Sequence, residues 1–204
     1  MTARSDAESV RPTSDIDAAL VAHVRLLGTV AGMSDAEAAA PSRLPGWTRG
    51  HVVTHLARNA DSHTRVLEGA RLGDVRDQYP TAGMREADIA AGAARTAAEL
   101  LDDLATTCAR LEAAWAALDG AGWDGECRMN AGPCPAFELP FRRLREVEAH
   151  HVDLGLAYSP ADWPPAYVEG ELARLLPRLP DRSDHNALAA WLLGRGDAPD
   201  LTAW

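Results

Sequence analysis

The chain has 204 residues, of which 47 % are hydrophobic and 25 % charged, and its formal net charge is −10. This composition is typical of a soluble globular protein with one domain, or with one domain and a small appendage. All 20 basic residues are arginines, which excludes Schiff-base or pyridoxal-phosphate chemistry and a P-loop, because each needs a lysine. The acidic balance also argues against a nucleic-acid partner.

The amino terminus and the cysteines bear on where the protein works. Residues 1–13 are polar and are expected to form a flexible tail, without the apolar stretch of a signal peptide. No run approaches the roughly 18 to 20 apolar residues of a membrane span, so we expect a cytoplasmic protein with no membrane partner. In that reducing compartment Cys108, Cys127 and Cys134, which form no C-x-x-C pair, are expected to be free thiols.

Helical periodicity predicts the first two long helices. The first is expected from Asp15 to about Val30, with Ser14 as its N-cap. The second is expected to follow its N-cap Thr48 and to end near Leu72. The apolar stripe of the first helix is expected to be Ile16, Leu20, Val24 and Leu27, and that of the second Val52, Val53, Leu56, Ala60, Val66 and Leu67.

The remaining pattern predicts two more long helices and a short tail. One helix covers about 85–118, with a possible break near Gly92, and the other about 136–156, with its firm start near Pro140. Between them, 120–135 indicates a loop or weak hairpin, and two short helices follow a Pro-rich linker at 159–165. The predicted fold is therefore mainly all-α: a four-helix bundle over 14–158 with a short C-terminal extension over 159–204.

Histidines carry the chemical information. His51 and His55 stand at i and i+4 in the second helix, and Glu146 and His150 stand at i and i+4 in the fourth. One carboxylate and two imidazoles from facing helices would leave a divalent metal an open position, as in a catalytic zinc site. The alternative is surface decoration or backbone hydrogen bonding, and His151, on the apolar stripe, is more typical of a buried core histidine.

Three segments together resemble the mycothiol-dependent maleylpyruvate isomerases of the DinB-like metalloenzyme superfamily. They are Leu44–Ala60 (LPGWTRGHVVTHLARNA), Arg65–Ala70 (RVLEGA) and Leu144–Gly155 (LREVEAHHVDLG). With the intervening helix, the resemblance covers about residues 14–158. It implies a DinB-like four-helix bundle with a smaller C-terminal domain.

The resemblance also implies a ligand set. It assigns metal ligation to His55, Glu146 and His150, with zinc as the expected ion, and it gives His51 and His151 other roles. The cofactor is then mycothiol, whose metal-bound thiolate is the nucleophile, so that no protein nucleophile is predicted. The partners are this small thiol and a small electrophilic or carboxylate substrate.

For a maleylpyruvate-like enoyl diacid, the family's chemistry implies thiolate addition to the double bond, rotation about the resulting single bond, and elimination to the trans isomer. The same apparatus without elimination is a mycothiol S-transferase that acts on an electrophile. A third alternative is a non-catalytic helical protein that binds a metal or ligand and whose C-terminal pocket has decayed.

The C-terminal extension departs from the family pattern. It is short and lacks the strand-forming run that usually precedes the closing helix, although Leu188–Gly196 (LAAWLLGRG) is similar to the family's Gly-Arg-Gly ending. In the family pattern an arginine at the place of Arg195 is suited to bind a substrate carboxylate through its planar guanidinium. The alternative is that Arg195 is a cation that complements the dipole at a helix end.

Overall fold

The computed structural model describes residues 11–201, and the described chain is mainly helical. Residues 1–10, most of the predicted tail, lie outside the described residues. The chain forms two compact units, the first reaching to Ala161 and the second beginning at Asp162. Within the described range, no helix is both long and apolar enough to cross a membrane.

The first unit is built from helices and one hairpin. Its elements are α1 (Thr13–Ala31), α2 (Asp35–Ala39), α3 (Arg49–Leu72), α4 (Met84–Gly92), α5 (Ala97–Ala117), α6 (Gly120–Asp124), β1 (Glu126–Met129), β2 (Gly132–Pro135) and α7 (Leu139–Asp153). The two strands pair antiparallel, with Cys127 opposite Cys134. The hairpin alternative is therefore confirmed for 126–135, whereas 120–124, predicted as part of the same loop or hairpin, forms the short helix α6, which the Asp119 side chain caps by accepting from the Gly122 N–H.

Four helices close into a bundle. Helix α3 packs on α5 and α7, and α1 packs on the same two helices. The shorter elements α2, α4, α6 and β1 all pack on α3, which is therefore the central element of the unit. The predicted mainly all-α, DinB-like bundle is confirmed.

Helix α3 forms as its sequence predicts. The Thr48 hydroxyl accepts a hydrogen bond from the backbone N–H of His51 at 3.3 Å, and the His51 Nδ1 accepts one from the backbone N–H of Thr48 at 3.2 Å. This reciprocal capping satisfies two backbone donors at the start of the helix. The whole predicted stripe of α3 is buried, with at most 1 % exposure: Val52, Val53, Leu56, Ala60, Val66 and Leu67.

Helix α1 differs from its prediction in two ways. It begins at Thr13, so Ser14 lies inside the helix and is not its cap. Val24, expected in the stripe, is 71 % exposed, and the buried side of the helix consists of Ile16, Ala19, Ala22, His23, Leu26 and Val30. Small alanines on this side allow close approach of α5 and α7, so packing outweighs the larger aliphatic residues in choosing the face.

The third and fourth predicted helices are interrupted as their sequences suggested. The third divides at Gly92, where a Cβ would lie 2.5 Å from the Thr54 Cγ2, and α5 restarts after Thr96, which forms a capping box with Glu99. The fourth begins with a 3-10 turn at 136–138, and α7 continues with Pro140 in its first turn. The second unit contains α8 (Pro165–Leu175) and α9 (His185–Leu192), joined by 3-10 turns.

Gly50 provides a test of the packing around α3. A Cβ there would lie 2.2 Å from the carbonyl oxygen of Ala93, just past the end of α4, and a backbone atom cannot move away cheaply. We expect Gly50→Ala to lower the free energy of unfolding by about 1 to 3 kcal/mol through overpacking. Denaturant titration measures this change in the free energy of unfolding.

The matched control is Gly28→Ala in α1, where a Cβ meets nothing within 4 Å. It should raise the free energy of unfolding by about 0.5 to 1 kcal/mol, since alanine is the better helix former. Equal effects of the two substitutions would contradict the close approach at Gly50.

Candidate metal centre

His55 on α3 and the pair Glu146 and His150 on α7 meet at the interface of the two helices. The His55 Nε2 lies 3.0 Å from the Glu146 Oε2, and the His150 Nε2 lies 3.6 Å from the same oxygen. One potential ligand atom from each of the three residues lies within 4.8 Å of the other two. The two imidazole rings are perpendicular, with centroids 4.6 Å apart.

The protonation states of this cluster suit a cation. Burial lowers the pKa of His55, so its imidazole is neutral near pH 7. Burial works to raise the pKa of Glu146, but the hydrogen bond with His55 and the neighbouring imidazoles outweigh it and hold the pKa at about 2. A neutral imidazole and an ionised carboxylate are the forms that bind metals.

Each histidine ring has a second partner. The Nδ1–H of His150 donates to the Asp153 Oδ2 at 2.8 Å, which leaves its Nε2 lone pair facing Glu146. The Nδ1 of His55 faces the Arg85 Nη2 at 3.4 Å. A carboxylate behind a histidine is the usual way in which proteins orient a metal ligand.

The donor set fits a divalent transition metal. Zinc takes imidazole nitrogen and carboxylate oxygen at about 2.0 to 2.2 Å in a tetrahedron, whose edges are then about 3.3 Å. The two distances to Glu146, 3.0 and 3.6 Å, bracket that edge. Three protein ligands leave the fourth position for a further molecule, as catalytic sites require.

The two histidines next to these residues in sequence make other contacts. His51 caps α3 through Thr48, and its ring lies 5.9 Å from that of Trp47. His151 is 2 % exposed, hydrogen bonds to the Thr29 hydroxyl at 2.8 Å and stacks on Tyr158 with centroids 3.8 Å apart. Neither His51 nor His151 belongs to the three-residue cluster found among the described residues.

Several residues around the cluster were not identified from the sequence. Trp47 lies with its ring 5.9 Å from that of His55, and Arg85 comes from α4. Asp153 stands at i+3 from His150, a spacing that could have been recognised on a helix. Trp47 and Arg85 leave no comparable pattern, because they reach the cluster from a loop and from another helix.

Arg195 belongs to the second unit and is exposed. Its Nη1 donates to the carbonyls of Leu193 and Gly194 at 3.4 and 3.2 Å, at the end of α9. Gly194 has a φ of 67°, the left-handed conformation that ends helices. These contacts are those of a helix-end cation, and binding of a substrate carboxylate by Arg195 stays a prediction.

Comparison with known proteins gives the family. A family model described as the mycothiol maleylpyruvate isomerase N-terminal domain matches residues 19–155. No curated protein matches the chain. The family resemblance inferred from the sequence is confirmed by this match.

Two solved structures are similar to the chain over most of its length. One is the crystal structure of the mycothiol-dependent maleylpyruvate isomerase, with 27 % identity and a TM-score of 0.77, covering 81 % of this chain and 70 % of that one. The other, a histidine-to-alanine mutant of that isomerase, has 26 % identity, the same TM-score and the same coverage. The chain therefore belongs to the mycothiol maleylpyruvate isomerase family, and it is an enzyme.

Proposed function

We propose that this protein is a mycothiol-dependent cis-trans isomerase of a maleylpyruvate-like enoyl diacid and that His55, Glu146 and His150 hold its metal ion. The observation that carries the proposal is the meeting of these three ligand atoms within 4.8 Å, on two helices of the family's bundle. When bound, zinc would convert a coordinating thiol into a thiolate, and mycothiol would supply that thiol for reversible addition to the double bond.

The residues of the chain prepare this site in distinct ways. His55 and Glu146 are held ready as neutral and ionised ligands, so binding a metal near pH 7 requires little proton release from either. Asp153 fixes the ring of His150. Trp47 lies beside His55, with the two ring centroids 5.9 Å apart.

The cysteines of the chain are poor candidates for the nucleophile. Cys108, Cys127 and Cys134 are all buried, with exposures of 1 %, 0 % and 5 %. Burial raises the pKa of each thiol, and that of Cys127 reaches about 12. A thiol that stays protonated at neutral pH attacks an electrophile poorly, which supports an external thiol as the reagent.

Metal content tests the ligand set. We expect His55→Ala, Glu146→Ala and His150→Ala each to weaken zinc binding by more than about 100-fold, beyond the loss typical of outer contacts, because one of three protein ligands is gone. Elemental analysis after dialysis, with circular dichroism to verify folding, measures this.

His51→Ala and His151→Ala are the controls, and both should keep their metal. His51 lies one turn from His55 on the same helix, and its loss removes a helix-cap contact and a ring contact with Trp47. The ligand set is wrong if the His51 variant loses zinc while the His55 variant retains it.

Thiol dependence tests the source of the nucleophile. We expect turnover of maleylpyruvate only when mycothiol is added, and we expect the variant with Cys108, Cys127 and Cys134 all replaced by serine to retain it. The measurement is the rate of trans-isomer formation together with recovery of free thiol. If the variant folds and binds zinc but no longer responds to mycothiol, the protein carries its own nucleophile.

The fate of the thiol separates the isomerase from a mycothiol S-transferase. An isomerase returns the thiol intact after each turnover, whereas a transferase leaves it in the product.

Arg195→Lys tests the predicted carboxylate contact of the second unit. Lysine keeps the charge but lacks the planar fork, so kcat/KM for the diacid should fall about 10- to 100-fold with metal content unchanged. Steady-state kinetics measures it, with Arg182→Lys in the same unit as the control. Wild-type rates in both Arg195→Lys and Arg195→Ala would leave Arg195 as a helix-end cation only.

A further inference from the structure

Arg85 brings a cation to the metal-ligand cluster from a third element. It is the second residue of α4, which begins after Gly83 with a φ of 77°. Its guanidinium Nη2 lies 3.4 Å from the Nδ1 of His55, and its side chain is 31 % exposed. The guanidinium is therefore both next to the cluster and open to solvent.

The position of Arg85 has no explanation in the stability of α4. A positive charge in the first turn of a helix opposes the helix dipole, which favours anions there. Its ion pair with the Glu86 Oε1 at 3.3 Å joins neighbouring residues in sequence, and the Glu86 side chain is 69 % exposed. Such a solvated pair contributes little, so a function at the cluster is the better reason for this arginine.

The chemistry of His55 points in the same direction. Its Nε2 faces Glu146, so metal binding through Nε2 puts the ring proton on Nδ1, the atom that faces Arg85. Arginine has only donors, and two N–H groups cannot share a hydrogen bond. In the metal-loaded site the Arg85 donors are then available to an anion.

The acidic charge of the whole chain makes a local cation favourable for binding an anion. Thirty acidic side chains against 20 arginines give a field that repels dicarboxylates. A guanidinium within hydrogen-bond distance of a metal ligand offsets that repulsion where the substrate must bind. Its planar fork also matches a carboxylate with two parallel hydrogen bonds.

We propose that Arg85 binds a carboxylate of the substrate next to His55, Glu146 and His150. This inference rests on the proposed function, since it takes a diacid as the substrate. It deepens that function by placing one carboxylate contact within the bundle itself.

Binding of succinate to the zinc-loaded protein tests the subsite. Succinate is a saturated dicarboxylate that can be neither isomerised nor attacked at a double bond, so its dissociation constant in isothermal titration calorimetry reports binding alone. We expect Arg85→Gln to weaken succinate binding about 10- to 100-fold and Arg85→Lys to weaken it by less.

Arg110→Gln is the matched control. Arg110 is 63 % exposed on α5 and lies 3.7 Å from Asp61, and its substitution should leave the dissociation constant unchanged. Zinc content and melting temperature are measured for every variant. Succinamide, which has the same carbon chain without charge, should not distinguish wild type from Arg85→Gln.

The outcomes separate the subsite from the reaction. Absence of succinate binding to the wild type, or equal binding by wild type and both Arg85 variants, overturns the subsite even if the enzyme isomerises maleylpyruvate. Loss of succinate binding in Arg85→Gln that accompanies loss of zinc, with normal binding in a zinc-retaining Arg85→Lys, also overturns it, because Arg85 then only supports the cluster. Arg85-dependent binding without thiol-dependent isomerisation upholds the subsite and refutes the proposed reaction.

Discussion

The bundle depends on the hydrogen bonds of one fully buried guanidinium, that of Arg143. From α7 its Nη1 donates to the carbonyl of Leu56 at 2.8 Å and to the Asn59 Oδ1 at 2.7 Å, both on α3. Its Nε donates to the His23 Nε2 on α1 at 3.1 Å, and its Nη2 faces the Cys108 Sγ on α5 at 3.5 Å. One side chain thus contacts the other three helices of the bundle. Because an unpaired donor in this interior costs about 1 to 3 kcal/mol, the helices cannot rotate freely against one another.

This constraint sets the geometry of the candidate metal centre. Leu56, the carbonyl partner of Arg143, follows His55 in sequence, and Glu146 lies one turn after Arg143 on α7. The register of α3 against α7 that lets Arg143 pair with Leu56 therefore also brings the His55 Nε2 to 3.0 Å from the Glu146 Oε2. The charge of Arg143 is balanced through His23, whose Nε2 must accept from the guanidinium, so that its Nδ1–H donates to Glu112 at 2.8 Å. Burial and the adjacent Arg143 guanidinium lower the pKa of His23, although its hydrogen bond with Glu112 acts to raise it. The His23 ring is therefore neutral, so it can accept from Arg143 and donate to Glu112.

The interior of the bundle contains more polar groups than packing alone requires. A bundle with a purely apolar core would be easier to assemble, since each buried polar group must find a partner. Two of the polar clusters that α3 and α7 share lie at different depths: Arg143 with Asn59 in the interior, and the His55 cluster where the side chain of Glu146 is 35 % exposed. Hydrogen bonds join Arg143 to Asn59, whereas the donor atoms of the candidate metal centre are directed at one another.

Much of this site was determined by local sequence. The i, i+4 spacing of Glu146 and His150, the capping residue Thr48 and the apolar stripe of α3 predict their helices and faces directly, since helical periodicity and capping act within one turn. The choice of His55 over His51, and of His150 over His151, was inferred from family resemblance. Periodicity alone could not separate His55 from His51.

Only the tertiary structure decided the face that α1 buries, the meeting of Arg85 with His55, and the network around Arg143. Val24 is exposed because small residues on another side of α1 allow closer packing. Arg85 is 30 residues from His55 in sequence and Arg143 is 87 from Leu56, and no local pattern encodes such contacts. They arise when helices pack, because buried donors and acceptors must then find partners wherever the chain brings them.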